Sequence, residues 1–278
     1  MGISKRVDEA RAAFAKRDPE AARKAHSHGA HPHGGHSHGS HEGDHSHSAT
    51  GSRYIGEFVY GGLDGIITTF AVVSGVVGAK LNAGIILVLG LANLLADGFS
   101  MATGAFLSAR SEQENYNRER EREMWEVENV PEGELAELRE IYLHKGHTEQ
   151  EAEQLTQIVS RQKEHWVDVM MVDELGMMRD DRNPLLNGVA TLVAFITAGA
   201  VPLLVYLVGL AVPIAPGTAF AASVGLSALA LFGLGAAKVL VTRQNVFKSG
   251  AEMLLIGGLA AVVAYGVGSL LRGLGGHG

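Results

Sequence analysis

The residues of this sequence best suited to bind a metal ion are five glutamates and two methionines in short-range groups. They form two Glu-x-x-Glu pairs and one Met-Met-x-x-Glu group: Glu123 and Glu126, Glu134 and Glu137, and Met170, Met171 and Glu174. Residues three or four apart share one face of a helix, so each group can present its donors together. Carboxylate oxygen is a hard ligand and thioether sulfur a soft one, which favours a late first-row divalent ion. The alternative is a solvated, ion-paired surface with the methionines in a core.

A second set of candidates lies inside apolar sequence. Asp64 stands within YGGLDGIITTFAVVSG, where an ionisable group is costly and by default functional, as a cation ligand or proton carrier. Helix capping or pairing with a neighbour is the structural alternative. Met101 could add a thioether, although a lone methionine more often packs against lipid. Glu57 and Asp97 lie nearer the ends of their apolar runs, where an interfacial position costs less, and we keep Glu57 as a candidate pathway residue.

The distribution of charge predicts an integral membrane protein. Residues 183–237 contain no Asp, Glu, Lys or Arg over 55 positions, and residues 253–271 contain none over another 19. A charge in the hydrocarbon core costs about 2.5–3.5 kcal/mol, and a spanning helix needs about 20 apolar residues. The chain also contains no cysteine, which excludes disulfides and thiolate metal sites.

We predict an all-α fold with five transmembrane helices. The prolines of residues 211–217 divide the longest charge-free run into two spans. Lys238, Arg243 and Lys248 cluster at the junction of the last two spans, so the positive-inside rule places that loop and the N-terminus in the cytoplasm and the C-terminus outside. The predicted spans are residues 57–79, 82–108, 184–210, 218–241 and 251–271.

The chain divides into four predicted segments. Residues 1–53 form a cytoplasmic tail that begins with a surface helix over residues 3–25 and is otherwise disordered. Residues 54–108 hold spans one and two, and residues 183–278 hold spans three to five. Between them, residues 109–182 carry 20 acidic against 10 basic side chains. We predict that this block is a helical, cytoplasmic metal-binding domain.

The tail contains nine of the 13 histidines in a Gly/Ser/His tract. Imidazoles at such spacing bind Zn²⁺, Ni²⁺ or Cu²⁺ readily, so the tract is either an accessory metal-gathering tail or a plain linker. The histidines are His26, His28, His31, His33, His36, His38, His41, His45 and His47.

From residue 54 to about residue 271 the chain resembles the vacuolar iron transporter family. The most specific motifs are DGIITTFAVVSG at residues 64–75, LADGFSMATGAFLS at residues 95–108, and the sequence of the last hairpin. The resemblance implies a homodimer with the ion pathway at its two-fold interface, lined by Asp64 and Met101. It implies that the seven Glu and Met residues form the metal site, and that Fe²⁺ leaves the cytosol in exchange for protons. The histidine tract departs from the plant-type pattern.

We therefore expect a transporter, not an enzyme, with Fe²⁺ as its substrate and no prosthetic group. Its partners would be membrane lipid, a second copy of the chain and protons, without nucleic acid. One alternative is an exporter of Mn²⁺ or Zn²⁺, with Co²⁺ a further substrate to consider. Another is a membrane-tethered iron buffer or ferroxidase, although the block lacks the Glu-x-x-His pair of di-iron carboxylate bundles. The expected location is a bacterial plasma membrane, or an organellar or vacuolar membrane in a eukaryote.

Overall fold

The structure is a computed structural model that describes residues 3–26, 55–242 and 245–272. Within these ranges the regular elements are helices, without any strand, which confirms the all-α prediction. In chain order they are α1 (Ile3–Lys16), α2 (Pro19–His26), α3 (Ile55–Gly78), α4 (Ala83–Asn129), α5 (Pro131–His144), α6 (Glu149–Val159), α7 (Lys163–Asp173), α8 (Pro184–Gly199), α9 (Leu204–Val208), α10 (Pro216–Thr242) and α11 (Val246–Leu271).

The chain divides into two compact units. Met1–Asp44 and Ser111–Asp181 form the first, which we call the acidic unit, and His45–Arg110 and Arg182–Gly278 form the second, the apolar unit. The four predicted segments stay a prediction.

Five helical segments in the described ranges are long and apolar enough to cross a membrane, as predicted. They are Gly56–Gly78, Ala83–Asn129, Pro184–Val208, Pro216–Val239 and Val246–Leu271. The second belongs to α4, an unbroken helix of 47 residues that continues into the charged sequence and contributes to both units. The helix ends at Asn129, directly before Val130 and Pro131.

Two helix boundaries differ from the prediction. The third span is interrupted after Gly199 by a 3₁₀ turn, Val201–Leu203, because Pro202 has no N–H to continue the α-helical bonding. The last helix begins at Val246, several residues earlier than predicted. Asn245 caps it, and its side chain accepts hydrogen bonds from the backbone N–H groups of Phe247 and Lys248.

In the apolar unit, α3 packs against α8, α10 and α11. Glycines allow two of these contacts: a Cβ at Gly65 would lie 2.4 Å from the carbonyl oxygen of Phe195, and one at Gly268 would lie 2.0 Å from that of Gly75. No side chain fits at such distances, so these glycines serve close helix packing. Phe195 is itself fully buried in the apolar core of this unit.

The N-terminal region corrects the prediction of one surface helix over residues 3–25. It forms two helices, because Arg17 adopts a positive φ of 51° and Asp18 then caps α2 by accepting a hydrogen bond from Glu20 N at 3.0 Å. Ala13 and Ala22 are buried with Val130 of the acidic block. This part of the tail is therefore folded onto the block. The predicted disorder after residue 25 covers residues 26–53, of which all but His26 lie outside the described residues.

Within the acidic unit, α5, α6 and α7 pack with the C-terminal part of α4 around an apolar core. That core includes Val127, Leu138, Trp166 and Val167. Helix α6 ends at Val159, and α7 follows as a separate helix from Lys163. A capping box at Thr148, whose hydroxyl accepts from Glu151 N at 3.3 Å, fixes the start of α6.

Candidate metal centre

Two neighbouring helices of the acidic unit bring three of the predicted metal ligands together. Glu123 and Glu126 lie on α4, and Glu134 lies on α5, which begins two residues after α4 ends. One carboxylate oxygen from each of the three lies within 4.8 Å of those of the other two. Spacing within one helix predicted each pair, whereas the turn at Val130 creates the three-residue cluster. An ion at its centre could be reached by all three side chains.

The cluster is buried, which distinguishes it from an ordinary acidic surface. Glu123 and Glu126 are 0% exposed, Glu134 is 1% exposed and Glu137 is 6% exposed. Burial raises the pKa of Glu134 well above its usual value, and the charges of Glu123, Glu137, Glu174 and Glu126 raise it further. Buried carboxylates repel one another because water no longer screens their charges. A bound cation stabilises them by supplying the opposite charge. These glutamates therefore do not form the solvated surface of the alternative interpretation, although Glu123 and Glu126 are ion-paired with Arg122.

Arg122 lies inside the same cluster, a feature that was not predicted. Its guanidinium donates to Glu123 Oε1 and Glu126 Oε2 at 2.5 Å each, and to Glu119 Oε2 at 3.0 Å. Burial works against this charge, but Glu123 and Glu126 outweigh it, and the pKa of Arg122 is raised. The signal was in the sequence, since Glu119 and Glu126 stand three residues before and four after Arg122 on α4.

The three remaining predicted ligands lie on or just after α7. Met170 and Met171 are fully buried in the apolar core of the acidic unit, together with Val127 and Leu138. Glu174 follows α7 directly, and its backbone N–H donates to the carbonyl of Met170 at 2.9 Å. The charge of Glu174 acts on Glu134, so this carboxylate belongs to the same electrostatic cluster. Ligation by the methionine sulfurs stays a prediction.

The predicted pathway residues are distributed along the apolar unit. Asp64 is half-buried on α3, and its charge is close enough to that of Asp97 on α4 for the two to interact. The sequence predicts only an interfacial position for Asp97. Met101 packs at the edge of the apolar core, and Glu57 near the start of α3 accepts a hydrogen bond from Arg182.

Of the nine predicted accessory histidines, one lies within the described residues. His26 is the last residue of α2, and His28, His31, His33, His36, His38, His41, His45 and His47 lie outside the described residues.

Known proteins resemble this chain over most of its length. It is 40% identical over 275 residues to a protein of Toxoplasma gondii named "Vacuolar iron transporter", covering 96% of this chain and 88% of that protein. It is 33% identical over 278 residues to a protein of the same name from Plasmodium berghei, covering 98% of each. Against "Vacuolar iron transporter 1" of Arabidopsis thaliana it is 33% identical over 217 residues, which cover 78% of this chain and 85% of the relative.

The model of the VIT family matches residues 55–269, which include Asp64, all seven candidate ligands of the acidic unit and the five apolar helices except the last two residues of the fifth. This match and the identity to the relatives agree with the family that the sequence motifs indicated. The chain therefore belongs to the VIT family.

Proposed function

We propose that this protein is a membrane transporter of Fe²⁺ that exports the ion from the cytosol in exchange for protons. The observation that carries the proposal is the buried cluster of Glu123, Glu126 and Glu134 in a chain with five potential membrane spans. The names of the relatives support iron as the substrate.

The acidic unit collects the ion. Its acidic block attracts cations, and the cluster binds one with carboxylates from α4 and α5. Glu137 and Glu174 lie in the same electrostatic environment and complete the oxygen donors. Met170 and Met171 would add soft donors that favour Fe²⁺ over Mg²⁺ or Ca²⁺.

The apolar unit moves the ion. Asp64 exchanges a metal ion for a proton, since both compete for the same carboxylate lone pairs. The charge of Asp97 adds to the attraction for a cation at this depth. Met101 contributes a thioether along the pathway, which is formed with a second copy of the chain. Glu57 stands near the cytoplasmic end of α3.

A second substrate assignment is supported by the donor set itself. Glutamate oxygens do not discriminate strongly among Fe²⁺, Mn²⁺, Zn²⁺ and Co²⁺, so a transporter of Mn²⁺ or Zn²⁺ would use the same cluster. The chain would act in a bacterial plasma membrane, or in the vacuolar or organellar membrane that the names of the relatives indicate. The N-terminus would face the cytoplasm.

Metal flux into proteoliposomes tests the proposal. The purified full-length chain is reconstituted, an outward-facing or inward-facing pH gradient is imposed, and entry of Fe²⁺, Mn²⁺, Zn²⁺ or Co²⁺ is followed with a trapped fluorescent chelator. We expect Fe²⁺ flux that grows with the proton gradient and a matching movement of protons. Metal binding without flux would instead support a membrane-tethered buffer, and flux insensitive to the gradient would contradict the antiport.

A further inference from the structure

We propose that Arg122 is a tethered cation that competes with the transported metal ion for Glu123 and Glu126. This inference rests on the proposed function, because it concerns the cluster that binds the ion. In this role, the Arg122 side chain lowers the affinity of the cluster for the metal ion, so that a bound ion can be released.

The contacts of Arg122 define the competition. Its two terminal nitrogens donate to Glu123 and Glu126 at 2.5 Å each, and these are two of the three carboxylates whose oxygens converge. The side chain of Arg122 is 3% exposed and those of both glutamates are 0% exposed. A divalent ion bound by the cluster needs lone pairs of the same two carboxylates. The two cations therefore compete directly for one buried negative charge.

Glu119 gives the guanidinium a second anchor outside the cluster. It accepts from Nε of Arg122 at 3.0 Å and, on its other oxygen, from Nε of Arg11 on α1 at 2.9 Å. When a metal ion takes Glu123 and Glu126, Arg122 can keep the Glu119 contact, so no buried charge is left without a counter-charge. The hydrogen bond from Arg11 on α1 fixes the position of the Glu119 carboxylate.

Stability alone does not account for this arrangement. A buried ion pair contributes little net stability, and apolar replacements of similar volume are often neutral or stabilising. A buried positive charge next to a divalent cation, in contrast, weakens binding of that cation strongly. The predicted consequence has an unusual direction, because removal of Arg122 should tighten metal binding, whereas loss of a purely structural residue should weaken it.

The test compares Fe²⁺ binding by anaerobic calorimetry at pH 7.5 in full-length wild type, Arg122→Met, Arg122→Lys and the control Arg120→Met. Arg120 lies on the same helix but pairs with Glu164 and Asp168 at the surface. We expect Arg122→Met to bind at least about tenfold more tightly and to release Fe²⁺ to a chelator more slowly. Arg122→Lys keeps the charge and should stay close to wild type, as should Arg120→Met. Equal or weaker binding by folded Arg122→Met would overturn the proposal.

A double variant covers the case in which Arg122→Met does not fold. Glu119→Gln with Arg122→Met removes one negative and one positive charge together, so the net charge of the buried group is unchanged. We expect it to bind Fe²⁺ more tightly than Glu119→Gln alone, and weaker binding would overturn the proposal. If the wild-type chain binds no Fe²⁺, that result contradicts the proposed metal-binding function of the acidic unit, and with it the proposed competition by Arg122.

Discussion

Arg182 and Glu57, 125 residues apart in the sequence, are joined by a hydrogen-bonded ion pair of 2.5 Å. The pair links the start of α3 to the segment that precedes α8, and both side chains are partly buried. Because its partner lies near the proposed pathway, Arg182 offers a direct test of how the ends of these helices are held.

We expect Arg182→Gln to lower the apparent unfolding temperature of the detergent-solubilised protein. The effect should be modest, about 1 kcal/mol or less, because a partly exposed ion pair is screened by solvent. Arg179→Gln, at an exposed arginine in the same segment, is the control. In a double-mutant cycle, Glu57→Gln should cost less in the Arg182→Gln background than in wild type. Strictly additive effects would show that the pair does not stabilise the fold.

Replacement of Asp64 should separate transport from metal collection. We expect Asp64→Asn to abolish proton-dependent Fe²⁺ flux in proteoliposomes, because the amide can neither exchange a proton nor offer a carboxylate. Fe²⁺ binding by the acidic unit should persist in the same preparation. Asp181→Asn, at an exposed carboxylate, should transport normally. Undiminished flux in Asp64→Asn would remove this residue from the pathway.

The buried glutamates should account for the Fe²⁺ affinity of the acidic unit. In Glu123→Gln/Glu126→Gln we expect affinity to fall by about 100-fold or more, since changes to outer-shell partners alone cost about 10–100-fold. Glu121→Gln and Glu128→Gln, at exposed positions of the same helix, are matched controls. Calorimetry on the full-length protein measures the difference. An affinity like that of wild type would place the site elsewhere.

The raised pKa of Glu134 predicts how stability depends on pH when metal is removed by chelation. The folded protein holds this proton at pH values where the unfolded chain has lost it, so the contribution of Glu134 falls as pH rises from about 4.5 towards the raised pKa. Glutamine does not titrate, so Glu134→Gln removes this loss of stability with rising pH. We expect its unfolding temperature to exceed that of wild type at neutral pH, with the difference shrinking on acidification.

The matched control for this measurement is Glu132→Gln, which changes an exposed carboxylate in the first turn of the same helix. Its unfolding temperature should follow that of wild type across the range. Addition of Fe²⁺ at neutral pH should stabilise wild type more than Glu134→Gln, because the ion binds only the folded cluster. Parallel pH profiles for wild type and Glu134→Gln would contradict the assignment of the proton to Glu134.

Where two helices are in close contact, replacing glycine with alanine should lower the stability of the protein; where a glycine faces open space, the same change should not. Gly268→Ala would place its Cβ 2.0 Å from the carbonyl oxygen of Gly75, so α11 must shift away from α3. We expect a loss of about 1–3 kcal/mol, typical of overpacking. Gly258→Ala on the same helix meets no atom within 4 Å and is the control. Equal unfolding temperatures for the two variants would show that the helices can separate at little cost.

Features that depend on local sequence were predictable. Apolar runs of spanning length, free of charge in the last three, predicted the five apolar helices. The spacing of Glu123 and Glu126 placed them on one face, because helical periodicity is a property of adjacent turns. The location of the acidic block between spans two and three followed from the order of the segments. The motifs around Asp64 and Met101 identified the family.

Tertiary structure decided which of these residues act together. The turn at Val130 brings Glu134 to the pair on α4, and packing then excludes water from all three carboxylates. Because these carboxylates are buried, their negative charges require a cation nearby. The guanidinium of Arg122 is one such cation, and it contacts Glu123 and Glu126 directly. Neither the contact of α1 with Glu119 nor the approach of Asp97 to Asp64 has a local signal. Both depend on how distant segments pack, which spacing along one helix cannot specify.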